Sequence, residues 1–295
     1  MSTVLYDTPG PKARRNTLIA SVLIGLALLA VVVVALLKLN EQDQLSELKW
    51  GPLVNPGNPI FPLVWASIGE AAVNTLVAAG WALVFSLIVG TVLAMSRVTA
   101  ARWYRWLVVG LMELLRGLPV VIMIFFASRV LPNYGLGLDN VWYLVIGLTL
   151  YNSVIIAEII RAGIASLPSG QLEAGLSIGL TRWQALRLIQ LPQAFRAMLP
   201  ALISQLVVVL KDTSLGFIVL YEELVRRANI LVQDPQMQNP LQMFLIIAAL
   251  FVLTNWLLSK LAEWVERRLS SRTAAKADPA AIPGTYASAT GGAAI

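Results

Sequence analysis

Residues 169–192 read SGQLEAGLSIGLTRWQALRLIQLP. This long polar insertion divides two strongly apolar stretches in the second half of the chain. Glu173 falls in the first turn of an expected helix, where the positive end of the helix dipole favours a carboxylate. Gly179 is placed to stop that helix. Thr181 starts a second one, with Gln184 three residues on at capping-box spacing. Pro192 marks the next expected boundary, because proline lacks the N–H a helix interior needs. A polar helix-turn-helix hung between two membrane spans must sit in water, and it offers a surface to a soluble partner.

The apolar setting is plain from composition. The chain has 295 residues, 58% hydrophobic and 13% charged, whereas a soluble domain is about 25% charged. It has no cysteine and no histidine. That excludes disulfides, thiol nucleophiles, Cys/His metal sites and histidine acid–base chemistry, and no cofactor or metal is expected. The net charge of +6 fits lysine and arginine gathered on the cytoplasmic side of a membrane protein, not a nucleic-acid partner. No G-x-x-x-x-G-K-[ST] phosphate loop occurs, so the chain is expected to be no enzyme and to burn no ATP by itself.

Outward from the insertion, a span needs roughly 20 apolar residues, and about six are expected. The first runs over 17–37, after Lys12, Arg14 and Arg15, with no small-residue cleavage site of a signal peptide after it. A turn-rich, acidic connector over 40–65 follows, with Trp50, Phe61 and Trp65 suited to the interface. The second span covers 66–95 and ends near Arg97, Arg102 and Arg105, among the belt residues Trp103, Tyr104 and Trp106. The third covers 118–130 and can be longer with the helix before it, where Glu113 and Arg116 stand three apart on one face at ion-pair spacing. The fourth, fifth and sixth are 141–164, 198–220 and 241–261. Arg226 and Arg227 lie on an outer connector, but the weight of the other basic residues puts both ends inside. The divisions expected are thus a cytoplasmic N-terminus over 1–16, an extra membrane helix over 17–39, an extracellular connector over 40–65, a membrane domain over 66–268 with a cytoplasmic loop over 165–196, and a disordered tail over 269–295.

Ionisable residues within spans mark function by default. Glu158 and Arg161 stand three apart on the fourth span. Lys211 and Asp212 lie midway along the fifth, followed by the hydroxyls of Thr213 and Ser214. Such groups suit a zwitterionic solute; they also suit pairing between helices.

Glu173-Ala174-Gly175, Gly179 and Ile189-Gln190-Leu191-Pro192 resemble the EAA loop of ABC-importer permeases: E-A-A, three residues, G, nine residues, I-x-L-P. Gly175 departs from the alanine of that pattern, and glycine costs up to about 1 kcal/mol against alanine in a helix, so a looser helix is expected. Gly170-Gln171, Pro192-Gln193-Ala194 and 211–215 (KDTSL) are similar to permeases for polar amino acids, most of all the glutamate-type permeases of actinobacteria. The resemblance covers about 68–267. It implies an all-α integral membrane fold of the type I ABC-importer (MetI-like) class, with an additional N-terminal helix. It also implies coupling to a separate ATPase dimer on the cytoplasmic face through Gly170, Gln171, Glu173, Ala174, Gly175, Gly179, Leu191 and Pro192. A substrate pathway past Glu158, Arg161, Lys211, Asp212, Thr213 and Ser214 is expected, with a second permease subunit, a substrate-binding protein outside the cell and membrane lipid as partners. The competing class is an ion-coupled secondary transporter, which usually shows internal repeats; none is evident here. An intramembrane enzyme lacks its G-x-S-x-G or H-E-x-x-H string.

Overall fold

Lipid offers a backbone N–H or C=O no partner, so apolar runs of this length must satisfy themselves as helices. The structure, a computed structural model, describes residues 10–99, 102–235, 237 and 239–274. The stretches before residue 10 and after 274, residues 100, 101, 236 and 238, and the side chains of Arg102, Trp103, Ala262 and 265–274, among them Arg267 and Arg268, lie outside what is described. The described chain is helical, with no strand. In order it comprises α1 (Pro11–Glu41), α2 (Glu47–Val54), α3 (Phe61–Thr99), α4 (Arg102–Gly117), α5 (Val120–Val130), a 3-10 turn (Leu131–Tyr134) and α6 (Asn140–Ala165). The polar loop holds α7 (Gly170–Ser177) and α8 (Arg182–Ala185), then a π turn (Leu186–Gln190) and α9 (Leu191–Ala197). After it come α10 (Leu199–Asp212), a 3-10 segment (Thr213–Val219), α11 (Leu224–Leu231) and α12 (Pro240–Ala274).

Among the described residues, five helices are long and apolar enough to cross a membrane: Pro11–Glu41, Phe61–Thr99, Asn140–Ala165, Leu199–Val219 and Pro240–Leu261. The third expected span needs correction. The helix before it does not lengthen it, because Tyr104–Gly117 and Val120–Tyr134 meet at 99°. Pro119 has no N–H to give α4 and pushes Leu118 out of the helical region. What remains is 11 residues of α5 and a four-residue 3-10 turn, about 24 Å of rise against a hydrocarbon core of about 30 Å.

The contacts divide the chain into two compact units, one built from residues up to Asn74 with Glu222–Ala249, the other from Thr75–Tyr221 with residues from Leu250 onward. In the larger unit α6 is the centre. One cluster packs Ile124 and Ala127 of α5 and Ala78 and Ala82 of α3 around Tyr143, Leu144 and Leu148 of α6. Lipid supplies no hydrophobic drive between helices, so close approach at small residues must supply the contact energy. Gly147 is such a point: a Cβ there would lie 2.5 Å from Ile124 Cγ1 and 2.6 Å from its Cα. A second cluster joins Ala94 of α3, Val108 and Met112 of α4, and Ile156, Ile160 and Ile164 of α6 to Leu186 and Ala194 of the polar loop.

In the smaller unit the expected connector is partly helical. α2 forms despite Gly51-Pro52 and buries both with Leu53. Tryptophan serves it as a donor: Trp50 Nε1 donates to Gln44 O and Trp65 Nε1 to Leu53 O, both at 3.0 Å. Asn239 Nδ2 donates to Lys49 O at 2.9 Å. Arg227, counted above against the orientation, pairs with Glu222 at 2.5 Å and Glu70 at 3.7 Å. α1 buries no residue in the chain.

Candidate functional site

The polar loop folds by the local rules its sequence carries. Gly179 holds a left-handed φ of +87°, which costs glycine little, and turns the chain out of α7. Thr181 accepts from Gln184 N at 3.2 Å while Gln184 Oε1 accepts from Thr181 N at 2.8 Å, a complete capping box. Pro192 does not end the helical path. The Leu191 N–H reaches back to Leu186 O through the π turn, and Pro192 sits in the first turn of α9, where proline is tolerated.

Gly175 is buried rather than a source of looseness. A Cβ there would meet Ile189 Cδ1 at 2.9 Å and Ala185 Cβ at 3.2 Å, so the absent methyl lets α7 lie against α8 and the π turn. Gln193 Nε2 donates to Gln171 Oε1 at 3.1 Å and ties α9 to α7. Leu191 packs on the cluster shared by α3, α4 and α6. A Cβ on Gly163 of α6 would lie 2.5 Å from Met198 Cγ and 3.1 Å from Ala194 O. The loop is therefore seated on α6 through its later part, with α7 tied to that part.

Its outward side is different. Gly170, Glu173, Ala174, Gly179 and Pro192 are exposed, and the Glu173 carboxylate makes no hydrogen bond or ion pair with a described residue. Ile178 is 77% exposed, Leu188 62% and Trp183 48%. Sequence reasoning missed these three; the signal was there, as apolar side chains inside a polar loop between caps. Apolar groups left uncovered outside a span mark a surface another molecule covers.

The charged span residues fall into two groups, and no hydrogen bond or ion pair among the described residues joins them. Glu158 is a hub: it pairs with Arg97 of α3 and accepts from Arg161 Nε at 2.8 Å. Sequence placed Arg97 only at the end of the second span and gave it no partner, because 61 residues separate it from Glu158. On α10, Lys211 is exposed with Ser204 and Val208 along one side, and neither Lys211 nor Asp212 forms a salt bridge among the described residues. Thr213 is fully buried and donates to Leu210 O at 2.6 Å; Ser214 is half-buried.

A multi-pass helical protein, interrupted by one capped polar hairpin seated on a central span, is the permease class of type I ABC importers. The chain belongs to the family of binding-protein-dependent transport system inner membrane components, whose pattern matches residues 83–271. It is 36% identical over 252 residues to the glutamate transport system permease protein GluD of Corynebacterium glutamicum, covering 83% of this chain and 88% of that one. It is 34% identical over 204 residues to the probable glutamine ABC transporter permease protein GlnP of Bacillus subtilis, covering 69% and 94%. A crystal structure of an amino acid ABC transporter with histidines matches with a TM-score of 0.62 at 27% identity, over 69% of this chain and 94% of that one. The MetNI methionine transporter, at 21% identity and a TM-score of 0.57, shares the fold.

Proposed function

We propose that this chain is the pore-forming permease subunit of an ATP-driven importer for polar amino acids, glutamate first among them, and that its polar loop takes the push of a separate ATPase dimer. The observation that carries this reading is the loop's two-sidedness. Leu191 and Ala194 fix it to α6 and its neighbours, Gly175 lets α7 lie on that body, and Glu173, Ile178, Trp183 and Leu188 stay uncovered. A motor docking on the outer side displaces a body seated on the spans, and the spans rock with it. Gly170 and Ala174 flank Glu173 and permit close approach.

The loop and both chain ends are cytoplasmic in this reading, with α1 as an extra membrane helix and the 40–65 connector outside. A solute path along α10 is favoured by Lys211. An ammonium at mid-bilayer costs several kcal/mol if lipid-exposed, so its exposed side turns to a watery path shared with a second permease subunit. Asp212 and Ser214 follow it, while buried Thr213 shapes the bend. Glu158 holds α6 to α3 through Arg97, with Arg161 paired beside it, at the inner end of the path. A substrate-binding protein outside the cell delivers the solute, and the names of the relatives favour glutamate or glutamine.

The test is Glu173→Ala, with Ile178→Ser beside it, in cells carrying the whole transporter. Uptake is expected to fall at least tenfold while the permease still reaches the membrane, and the ATPase to co-purify in reduced amount. Normal uptake with full assembly overturns the coupling assignment, and uptake that survives ATP depletion overturns the importer class.

A further inference from the structure

α4 presents three sides. Val108, Met112 and Leu115, at i, i+4 and i+7, pack into the cluster with α3, α6 and the polar loop. Leu107, Leu111 and Leu114 repeat that spacing on a second side and are exposed. Arg105, Glu113 and Arg116 are exposed on the remaining side. Arg116 pairs with Glu113 at 2.6 Å, and Arg105 forms no ion pair with a described residue. Trp106 is 67% exposed.

No single medium suits this helix. Water penalises the leucine stripe, and the bilayer core penalises the charged side. Both are satisfied if the axis lies in the plane of the membrane, with leucines among acyl chains, charges toward water and Trp106 among headgroups. The 99° bend into α5 is what an in-plane helix turning into the bilayer requires. The leucine stripe also runs on into Ile122, Phe125 and Phe126 of α5, all exposed, on a surface that lipid must cover. Two arginines against one glutamate leave positive charge at headgroup level, and its complement there is an anionic phosphate.

We propose that α4 is an interfacial helix whose Arg105 and Arg116 hold the headgroups of anionic phospholipids. This goes beyond the transport reading and holds whichever face of the membrane the polar loop occupies. Because α4 shares its buried side with the loop, lipid held there braces the base on which the loop rests.

The chain has no cysteine, so Leu111→Cys and Glu113→Cys place single nitroxide labels in the full-length protein. It is reconstituted in nanodiscs of phosphatidylcholine with about one-third phosphatidylglycerol. The label at 111 is expected to be relaxed by oxygen and the label at 113 by an aqueous nickel complex. Nickel access at both, oxygen access alone at both, or shielding of 111 from both reagents by a protein neighbour would each overturn the in-plane placement. Spin-labelled phosphatidylglycerol is expected to associate in preference to phosphatidylcholine. At low salt that preference is expected to fall about fivefold for each arginine removed by Arg105→Gln and Arg116→Gln. An unchanged preference in the folded double variant overturns the headgroup assignment even where the placement stands.

Discussion

Gln205 Nε2 donates to Asn152 Oδ1 at 2.6 Å, a buried hydrogen bond that joins α10 to α6 across the loop that separates them in sequence. Asn152 spends its own N–H on Leu148 O at 2.9 Å, so its orientation is fixed. The spans entering and leaving the loop are thus latched together. Asn152→Ala strips the Gln205 amide of its partner in a buried site, a loss of about 1–2 kcal/mol. The thermal midpoint of the detergent-purified protein should fall for Asn152→Ala and for Gln205→Ala. The double variant should lose less than the sum, and strict additivity would contradict the latch.

Glu158 serves two arginines of unequal burial. The Arg97 side chain is 18% exposed and the Arg161 side chain 41%. Glu158→Gln leaves Arg97 without a counter-charge in a poorly solvated place, and should cost about 2 kcal/mol or more. Arg161→Gln removes a more solvated partner and should cost under about 1 kcal/mol. Unfolding midpoints of the two variants decide this; equal losses would mean that Arg97 finds solvent after all.

These ties also mark what sequence could and could not disclose. The capping box of Thr181 and Gln184 and the stop at Gly179 are local devices, complete within four residues, and they were legible. The long spans were legible because lipid leaves the backbone one choice. The bend at Pro119 was not read: the helix before the third span was expected to add to it, and only the packing of Val108 and Met112 with α6 shows the turn. α2 was hidden because Gly51-Pro52 reads as a turn, and only packing overrides that preference. Arg97 was invisible as the partner of Glu158, since nothing within a span states which helix will lie beside it. Gly175 looked like a weakness, and became a necessity only once Ile189 and Ala185 lay against it.

Gly147 allows a direct test of close helix packing. A methyl there meets the backbone of Ile124, which cannot turn aside as a side-chain tip can. Gly147→Ala should destabilise by about 1–3 kcal/mol or more through overpacking. Gly80→Ala, where a Cβ meets nothing within 4 Å, should be neutral or slightly stabilising by helix propensity. Comparing the two thermal midpoints separates packing from propensity, and matched values would contradict the tight α5–α6 seam.

Glu223 should make stability depend on pH. It is fully buried at the start of α11, where its carboxylate accepts from Val225 N and Arg226 N at 2.8 Å each. Burial pushes its pKa up from 4.5 to about 7, against the pull of those two hydrogen bonds. Below pH 4.5 folded and unfolded chains both hold the proton. Between pH 4.5 and 7 the unfolded chain releases it while the folded chain keeps it, so stability falls as pH rises, by on the order of 3 kcal/mol in all. Above pH 7 the contribution is gone and the curve levels. Glu223→Gln, which stays neutral and can still accept at the helix start, should flatten that slope. The check is the unfolding midpoint of both proteins at intervals from pH 4.5 to 8. A wild-type midpoint that rises toward pH 7, or a slope that survives in the glutamine variant, would assign the titration to another group.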